Sequence, residues 1–554
     1  MVVVRLLAIG NVLLICRAPA SWSYMVKHIR KALSPAQANV SKNASTLGLL
    51  LILALGGLVR LWGNDFGLPY LYHPDEGYLV MPALKILHTG NFNPGWFDYG
   101  SVFIYVLFLT YVVYFLAGAR LGVFQVVQDI PYYENFREIS AYDFPTLFIV
   151  SRSVSALFGM ALIPIVYLLA KRLFGEKVGL VASLLLALCP ALVYNAHFAT
   201  TDTAMTTFVT LAVLLSLRLY ESGERKYYAL AGFVTGLAIS TKYSAFPAVL
   251  TLAVAHLLRG RKERSFLDHN LFLALGTVLV GFLIGSPFVL AEFPTFLNYL
   301  AKQIRVYGRP GGELPLEATY VWWLKYMFTT EVMPATILAL VGVGYLLKEK
   351  PRETALLLAS PALFWIIILT QIPRYHRSWL PTAPILVLLA AYGLARVAAK
   401  LSEWFQKIRP VRQEYGLALL LLPLVIFWGA IVLQRDWRMT QPDVRTLALN
   451  WIQEHLPINS RIAIDLTGPP LPSPPWQVGR YGSLGNHPLA YYQEQGYEYL
   501  IISQRAWENP SLTQTTKENL QSIEEGTELV ADLIGFFLYS PDCHLWIYKV
   551  PERD

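Results

Sequence analysis

Short polar segments between long apolar runs hold the residues of this chain that could do chemistry. The segment LPYLYHPDEGYLV follows the first long apolar run, NPGWFDYGS comes later in the same loop, and YNAHFATTDTAM separates two further apolar runs. A charged group close to a bilayer is costly, so such residues mark candidate sites of function. The candidates in these three segments are His73, Asp75, Glu76, Asp98, His197 and Asp202.

A carboxylate beside cationic groups can transfer a group from a phosphate ester to a hydroxyl. The carboxylate of Asp75 or Glu76 can accept the proton of the attacking hydroxyl. Guanidinium and ammonium groups can bind the departing phosphate, and other short segments supply Lys242, Arg374 and Arg377 for that role. No ligand set has the spacing of a metal site, so the sequence leaves a divalent metal ion open and unassigned.

The composition indicates that these segments belong to a membrane protein. Of the 554 residues, 55% are hydrophobic and 15% are charged, and the mean hydropathy is +0.44. That is too apolar for a soluble protein of this length. The net charge of +8 comes from short basic clusters between apolar runs, which argues against a nucleic-acid partner. We interpret these clusters as topology signals.

Eleven apolar runs predict an all-α polytopic membrane domain over residues 46–434. Runs of about 17–25 residues can cross a bilayer as helices, and two shorter runs flank Lys242 as a further pair. The predicted spans are Thr46–Trp62, Phe144–Ala170, Val178–Tyr194, Ala204–Tyr220, Tyr227–Ser240, Ser244–Leu258, Leu271–Leu290, Val332–Leu347, Thr354–Thr370, Leu380–Ala398 and Tyr415–Leu433.

Basic loops predict the orientation of these spans. Loops with clustered Lys and Arg are expected in the cytoplasm, which leaves residues 64–143 and every other loop with a candidate residue on the outer side. All candidate residues then face the same aqueous side. The apolar segment Ser101–Ala119 would invert every later loop if it crossed the bilayer, so we predict an in-plane or re-entrant helix there.

Two further segments flank the membrane domain. Residues 1–45 combine an N-terminal extension with a cytoplasmic segment. The first twenty residues resemble a signal peptide or a short anchor, but MVKHIRK from Met25 is typical of a cytoplasmic start, so residues 1–24 are left out of the fold prediction. Residues 435–554 predict a soluble, extracytoplasmic α/β domain, because DVRTLALNWIQEHLP has helical spacing and RIAID, YEYLIIS and HLWIYKV have strand-like patterns.

The order of these motifs resembles the C-type (GT-C) membrane glycosyltransferase superfamily. An Asp-Glu pair lies in a long first outer loop, followed by RSVSALFG at Arg152–Gly159, then KRLFG and AHFATTD. The motifs look most like those of protein O-mannosyltransferases and of the bacterial aminoarabinose transferase that modifies lipid A, over residues 47–258 well and 364–394 weakly. The resemblance implies a helical membrane domain, a dolichyl- or undecaprenyl-phosphate sugar as donor, and inversion at the anomeric carbon.

The resemblance also implies roles for individual residues. Asp75 matches the catalytic aspartate of the Asp-Glu pair, and Glu76 is its neighbour. Asp202 matches the aspartate of the second outer loop. Arg374 and Arg377 stand where relatives often carry basic residues before a Leu-Pro helix start.

One position departs from the pattern of the aminoarabinose transferase. Asp98 falls where that enzyme has a glutamate before Lys-Pro. Here Tyr99-Gly100 replaces the Lys-Pro, so the phosphate-binding lysine of that enzyme has no counterpart at this position.

Ordinary structural roles stay open for several of these residues. Asp202 opens a helix, where an N-cap is favoured, and His197 can cap the preceding helix. His73 can simply hydrogen-bond within an extended loop, Lys242 can snorkel, and Asp98 can belong to an interfacial aromatic belt. Our assignment is catalysis by Asp75 and Glu76, and substrate binding by His73, Asp98, His197, Asp202, Lys242, Arg374 and Arg377.

The sequence thus predicts a glycosyltransferase of an extracytoplasmic membrane face. The expected partners are a polyprenyl-phosphate sugar, the membrane and a hydroxyl acceptor that is a protein, a lipid or a glycan. Few outer cysteines favour a prokaryotic plasma membrane. A secondary transporter would carry its paired acids at mid-span breaks within an inverted repeat, a pattern that is not visible here. A non-catalytic scaffold subunit is the third alternative.

Overall fold

The computed structural model of the chain describes residues 43–134, 141–263, 268–308, 318–371, 374–407, 413–508, 512–537 and 540–551. Residues 55–554 form one compact unit, and all contacts below lie within it. The predictions for residues 1–24 fall outside the described residues.

Helices build the chain up to the C-terminal domain. In chain order, α1 to α17 are Asn43–Leu61, Glu76–Thr89, Val102–Arg120, Thr146–Phe174, Glu176–Ala187, Pro190–Ala196, Thr201–Ser222, Arg225–Thr241, Ala248–Glu263, His269–Gly285, Phe288–Ala291, Phe293–Gly308, Thr319–Met327, Met333–Glu349, Pro351–Thr370, Ala383–Gln406 and Gln413–Met439.

The mostly helical membrane architecture is confirmed, whereas the count of eleven spans is not. In the described ranges seven helices are long and apolar enough to cross a membrane, namely α1, α3, α4, α7, α15, α17, and α16 with the turn before it. The pair α5 and α6, bent by 55°, would make an eighth. The predicted spans that coincide with α8, α9, α10 and α14 have only 16 or 17 helical residues.

The loops predicted to be cytoplasmic meet at one end of the helices. Arg172 in the last turn of α4 pairs with Glu221 at the end of α7, and Arg259 Nη1 donates to the Glu221 carbonyl oxygen at 3.1 Å. Lys350 Nζ donates to the Leu173 carbonyl oxygen at 2.6 Å. The candidate residues lie at the opposite helix ends, which is the arrangement that the charge pattern predicted.

Helix α3 packs along the N-terminal half of α4. Phe103 packs on Phe158 with ring centroids 6.4 Å apart, and the Tyr111 hydroxyl lies 2.6 Å from Ser151 Oγ. After α3, Phe124 packs on Phe144 at 5.9 Å. Length and composition admit a membrane span here, so the in-plane or re-entrant helix stays a prediction.

Close packing of α8 on α10 sets the position of the turn that carries Lys242. A Cβ on Gly236 would lie 2.1 Å from the Val278 carbonyl oxygen, and one on Gly281 would lie 2.2 Å from that of Phe233. Small residues let membrane helices approach in this way. The Ser240 and Ser286 hydroxyls then lie 2.7 Å apart, so the outer ends of both helices are fixed together.

The C-terminal domain is a five-stranded sheet with flanking helices. Its sheet order is β2-β1-β3-β5-β4, with β1, β2 and β3 parallel and β4 and β5 antiparallel to their neighbours. The predicted helix and the three predicted strands are present as α18, β1, β3 and β5. The elements are α18 Val444–His455, β1 Arg461–Asp465, β2 Gln477–Tyr481, α19 Leu489–Glu494, β3 Tyr499–Ser503, α20 Gln504–Trp507, α21 Gln514–Gly526, β4 Glu528–Phe537 and β5 Ser540–Lys549.

This domain shares one hydrophobic core with the outer loops. Phe66 and Tyr72 of the first outer loop, and Phe198 of the next outer turn, are buried in the same cluster as Val444 and Ile462. Burial of apolar surface is the main favourable term in folding. The C-terminal domain therefore packs against the loop that carries Asp75 and stabilises it.

Arg445 connects the C-terminal domain to the first outer loop. Its guanidinium lies 3.8 Å from the Tyr72 ring centroid and 4.2 Å from that of Phe537, and it binds both carboxylate oxygens of Asp443 at 2.8 Å. The Tyr72 hydroxyl lies 2.6 Å from Thr446 Oγ1. Tyr72 directly precedes His73, so these contacts fix the backbone just before the candidate residues of the first outer loop.

Arg445→Met is expected to lower the free energy of unfolding by about 3–5 kcal/mol, because it leaves a buried carboxylate without its cation. Thermal unfolding of the detergent-purified protein measures the effect. Asp443→Asn in the same chain should recover much of the loss, since the uncompensated charge is then gone. Lys171→Met, which breaks an exposed pair with Glu176, should cost less than about 1 kcal/mol. Equal losses in Arg445→Met and Lys171→Met would contradict the role of Arg445.

Candidate active site

Glu76 and Arg152 form a buried ion pair beneath the first outer loop. Arg152 Nε and Nη2 donate to the two Glu76 carboxylate oxygens at 2.8 Å, and both side chains are 0% exposed. The Ala199 N–H donates to Glu76 Oε1 at 2.9 Å, while Arg152 Nη1 also donates to the carbonyl oxygens of Asn64 and Phe66. The geometry therefore gives Glu76 a positioning role and does not support the catalytic role predicted for it.

His73, two residues before Asp75, is buried. Its ring stacks on Phe198 with centroids 4.5 Å apart, and its Nδ1 accepts a hydrogen bond from the Asp75 backbone N–H at 3.3 Å. Burial lowers the pKa of His73, so the imidazole is neutral at neutral pH. Its Nδ1 acts as an acceptor, and the proton accordingly resides on Nε2. His73 thus shapes the turn before Asp75.

Asp75 reaches the site at the start of α2 and pairs with Arg377. Arg377 Nη1 lies 2.5 Å from Asp75 Oδ2, and the two side chains are 18% and 20% exposed. Burial alone would raise the pKa of Asp75, but nearby positive charge, above all that of Arg377, outweighs burial and holds that pKa below its ordinary value. Asp75 is therefore an ionised carboxylate that remains within reach of solvent.

A second ion pair lies beside the first. Lys242 Nζ donates to Asp202 Oδ1 at 2.7 Å, with side chains 11% and 2% exposed, and the same ammonium lies 5.0 Å from the Tyr99 ring centroid. Burial raises the pKa of the Tyr99 phenol, followed by the charge of Asp75. Asp202 is in the first turn of α7 rather than at its N-cap, which is Thr200. Tyr99 thus lies between the two pairs.

The loop that carries Asp98 and Tyr99 is docked on the outer ends of α8 and α10. A Cβ on Gly100 would lie 1.9 Å from the Ser240 carbonyl oxygen, so only glycine allows this approach. The Ser101 N–H donates to Ser286 Oγ at 2.9 Å, and the Tyr243 hydroxyl donates to the Tyr99 carbonyl oxygen at 3.0 Å. The residues that replace the Lys-Pro of the aminoarabinose transferase therefore position an aromatic ring beside Lys242.

Gly100→Ala should move Tyr99 away from Lys242 and cost about 1–3 kcal/mol of stability, as overpacking typically does. The new methyl group would meet backbone atoms rather than a flexible side chain. Thermal unfolding and an activity assay on the same preparation measure both effects. Gly276→Ala in α10 is the matched control, because a Cβ there meets nothing within 4 Å. Wild-type behaviour of Gly100→Ala would contradict the docked loop.

Asp98 faces helix α12 rather than the two ion pairs. Lys302 Nζ lies 2.9 Å from Asp98 Oδ2, and Gln303 Nε2 donates to Asp98 Oδ1 at 2.9 Å. Lys302 is 53% exposed. The pair ties α12 to the loop that holds Tyr99, and the substrate-binding role of Asp98 stays a prediction.

The contacts of two other candidate residues, His197 and Arg374, are with other groups. The ring nitrogens of His197 each lie 3.0 Å from a backbone carbonyl oxygen, of Val193 and of Trp62, and the ring is fully buried. This geometry does not support the substrate-binding role predicted for His197. The Arg374 guanidinium lies 5.9 Å from the Trp322 ring centroid, whereas Arg377 is the residue that pairs with Asp75.

Arg377 and Lys242 bring two positive charges to this site. Among the described residues, no group of three or more His, Cys, Asp and Glu side chains is arranged to hold a metal ion. The site therefore combines an accessible carboxylate, two cations and an aromatic ring at the outer ends of the helices.

Comparisons of the sequence find a matching family model and a relative. Residues 144–290 match the family model of dolichyl-phosphate-mannose-protein mannosyltransferases. An uncharacterized protein of Aquifex aeolicus (strain VF5) is 26% identical over 352 residues, which are 61% of this chain and 63% of that protein.

Comparison of the structure with solved structures finds proteins of similar fold. ArnT from Cupriavidus metallidurans bound to undecaprenyl phosphate has a TM-score of 0.51 and 14% identity, over 90% of this chain and 97% of ArnT. The apo state of ArnT gives a TM-score of 0.50 at 14% identity, over 91% and 98% of the two chains. The chain thus shares its fold with ArnT, and residues 144–290 match the mannosyltransferase family model.

Proposed function

We propose that this protein transfers a sugar from a polyprenyl-phosphate carrier to a hydroxyl acceptor. The observation that carries the proposal is the meeting of two ion pairs, Asp75 with Arg377 and Asp202 with Lys242, beside the Tyr99 ring. One accessible carboxylate and two cations are the groups that such a transfer requires. The fold shared with ArnT, which has been solved with undecaprenyl phosphate, supports a lipid of this class as donor.

Asp75 acts as the general base in this proposal. Its carboxylate accepts the acceptor's hydroxyl proton on Oδ1, while Oδ2 faces Arg377. The acceptor oxygen forms a bond to the anomeric carbon, and the bond from that carbon to the phosphate oxygen breaks. The electron pair leaves with the polyprenyl phosphate, and attack from the face opposite the phosphate inverts the anomeric centre.

Arg377 and Lys242 stabilise the phosphate as it departs. An arginine can bind two phosphate oxygens at once, and a lysine acts as a compact point charge. Lys242 is fixed by Asp202 at 2.7 Å, so its charge needs no rearrangement during the reaction. Lys302 on α12 is exposed and is a further candidate to meet the carrier.

The reaction takes place on the extracytoplasmic side of a prokaryotic plasma membrane in this proposal. The basic loops are grouped at the other helix ends, which are the ends expected in the cytoplasm. The carrier's acyl chain enters from the bilayer, and the acceptor is a protein, lipid or glycan hydroxyl that comes from outside.

Proteoliposomes of the purified protein test this function with polyprenyl-phosphate sugars that carry a radiolabel in the sugar. Transfer of label to an acceptor fraction, together with release of unlabelled polyprenyl phosphate, supports the glycosyltransferase. Uptake of a solute without release of lipid phosphate would point to a transporter instead. A protein that gives neither result with any donor in a panel of hexosyl and pentosyl lipids would contradict the proposal and favour a scaffold subunit.

A further inference from the structure

Arg377 is paired with the Asp75 carboxylate. The phosphate of the proposed donor would bring a second anion to the same guanidinium. Its Nη1 lies 2.5 Å from Asp75 Oδ2, and the guanidinium lies 5.4 Å from the centroid of the Tyr375 ring. The Asp75 and Arg377 side chains are 20% and 18% exposed, so the pair is open to an incoming group.

A carboxylate paired in this way is a poor base. The charge of Arg377 stabilises the ionised form of Asp75 and lowers the affinity of Asp75 for a proton. A base is most effective when its proton affinity suits the group that it deprotonates. The resting pair therefore suppresses the chemistry that the proposed function assigns to Asp75.

A phosphate is a strong competitor for that guanidinium. Arginine binds phosphate through two parallel hydrogen bonds, and the donor's phosphate must lie close to Asp75 if the sugar is to lie between the phosphate and the acceptor. Arg377 then has two anions to satisfy with one cationic group. Any hydrogen bond that it makes to the phosphate weakens its hold on Asp75.

We propose that Asp75 and the donor phosphate compete for Arg377, so that binding of the donor frees Asp75 to accept the acceptor's proton. The inference rests on the proposed function and adds an order of events to it. The base becomes active only when a donor is present. Arg377 contacts both the reacting lipid and the base, whereas Lys242 does not change its partner.

The second ion pair is built differently and provides a control. Asp202 is 2% exposed and Lys242 is 11% exposed, and Tyr99 covers the ammonium at 5.0 Å. An ion pair so enclosed is costly to separate, because each charge would lose its compensation. We therefore expect this pair to persist in the donor complex as fixed positive charge on the scaffold.

Competition makes a counterintuitive prediction for binding of the carrier itself. The probe is undecaprenyl phosphate without a sugar, titrated into the purified full-length protein in nanodiscs. Asp75→Asn should bind this lipid more tightly than wild type, by roughly tenfold, which corresponds to about 1.4 kcal/mol. Arg377→Gln should bind it more weakly, and Asp75→Asn combined with Arg377→Gln should bind no more tightly than Arg377→Gln alone. Asp202→Asn should not tighten binding.

The outcomes separate the inference from the function on which it rests. If wild type transfers sugar but Asp75→Asn binds the lipid no more tightly than wild type, the proposed competition is wrong. The proposed glycosyltransferase function is then unaffected. Tighter binding by Asp202→Asn and not by Asp75→Asn would also overturn the competition, in favour of Lys242. If wild type neither binds the lipid nor transfers sugar, both the competition and the proposed function are wrong. Asp75→Ser, with a matching thermal-unfolding curve, repeats the test should Asp75→Asn fold poorly.

Discussion

Asp75→Asn is expected to reduce sugar transfer by a factor of about 10²–10⁴, the usual contribution of a general base. The amide keeps the shape of the side chain and can still contact Arg377, but it cannot accept the proton of the attacking hydroxyl. Single-turnover transfer from a radiolabelled donor lipid in proteoliposomes, at saturating donor, measures the loss. Because binding of the carrier should tighten in the same variant, a loss of donor affinity cannot account for the result.

Asp129→Asn is the matched control for this experiment. Asp129 is another carboxylate of the first outer loop, but its Oδ2 accepts hydrogen bonds from the Gln125 and Val126 N–H groups at 2.6 and 3.0 Å. Its loss should leave transfer within about twofold of wild type, as surface substitutions usually do. Full transfer by Asp75→Asn, or an equal loss in both variants, would show that Asp75 is not the base.

Arg152→Met is expected to have the largest effect on stability. The substitution leaves the Glu76 carboxylate buried at 0% exposure without its cation, which typically costs about 3–5 kcal/mol. It also removes hydrogen bonds to the carbonyl oxygens of Asn64 and Phe66. That cost is a large part of the stability of a folded protein, so we expect a marked fall in folded yield and in the unfolding temperature.

Replacing both members of the pair separates charge from packing. Glu76→Gln in the Arg152→Met background removes the unpaired charge, so the unfolding temperature should recover in part. Arg172→Met breaks the ion pair with Glu221, whose side chains are 32% and 30% exposed, and should cost less than about 1 kcal/mol. If Arg152→Met unfolded at the temperature of Arg172→Met, Glu76 would not be the anchor of the first outer loop.

Much of this architecture was predictable from the sequence because the physical signals are strong. Apolar runs long enough to span a bilayer coincide with helices. The basic loops correctly predicted which helix ends lie together. The turns with Asp75, Asp202 and Lys242 were assigned to one side by that charge pattern, and the structure brings their side chains together. Strand patterns such as RIAID gave β1, β3 and β5 of the C-terminal domain.

The partners of these residues were not predictable, since they depend on tertiary contacts. Arg374 and Arg377 are equivalent in the sequence, and only the fold brings Arg377 to Asp75. Tyr99 could not be distinguished from an interfacial aromatic residue. A usable signal did exist for Arg152, because an arginine within a long apolar helix is rare unless it has a buried partner, and here that partner is Glu76.

Element lengths were the other source of error. Helices α8, α9, α10 and α14 are 16 or 17 residues long, and hydropathy alone does not tell such helices from full spans. The sequence patterns did not predict strands β2 (QVGRY) and β4 (ELVADLIGFF), because β2 has few apolar residues and β4 carries two acids and a glycine. Their pairing with β1 and β5 overrides this weak local preference.

A structure of the full-length protein with undecaprenyl phosphate, determined by electron cryo-microscopy in nanodiscs, would show which residues bind the donor phosphate. We expect the phosphate within hydrogen-bonding distance, about 3 Å, of Arg377 and beside Lys242, with Asp75 facing the space where the sugar would lie. A phosphate bound only by Lys302 and other exposed residues of α12, with Asp75 still paired to Arg377, would contradict it.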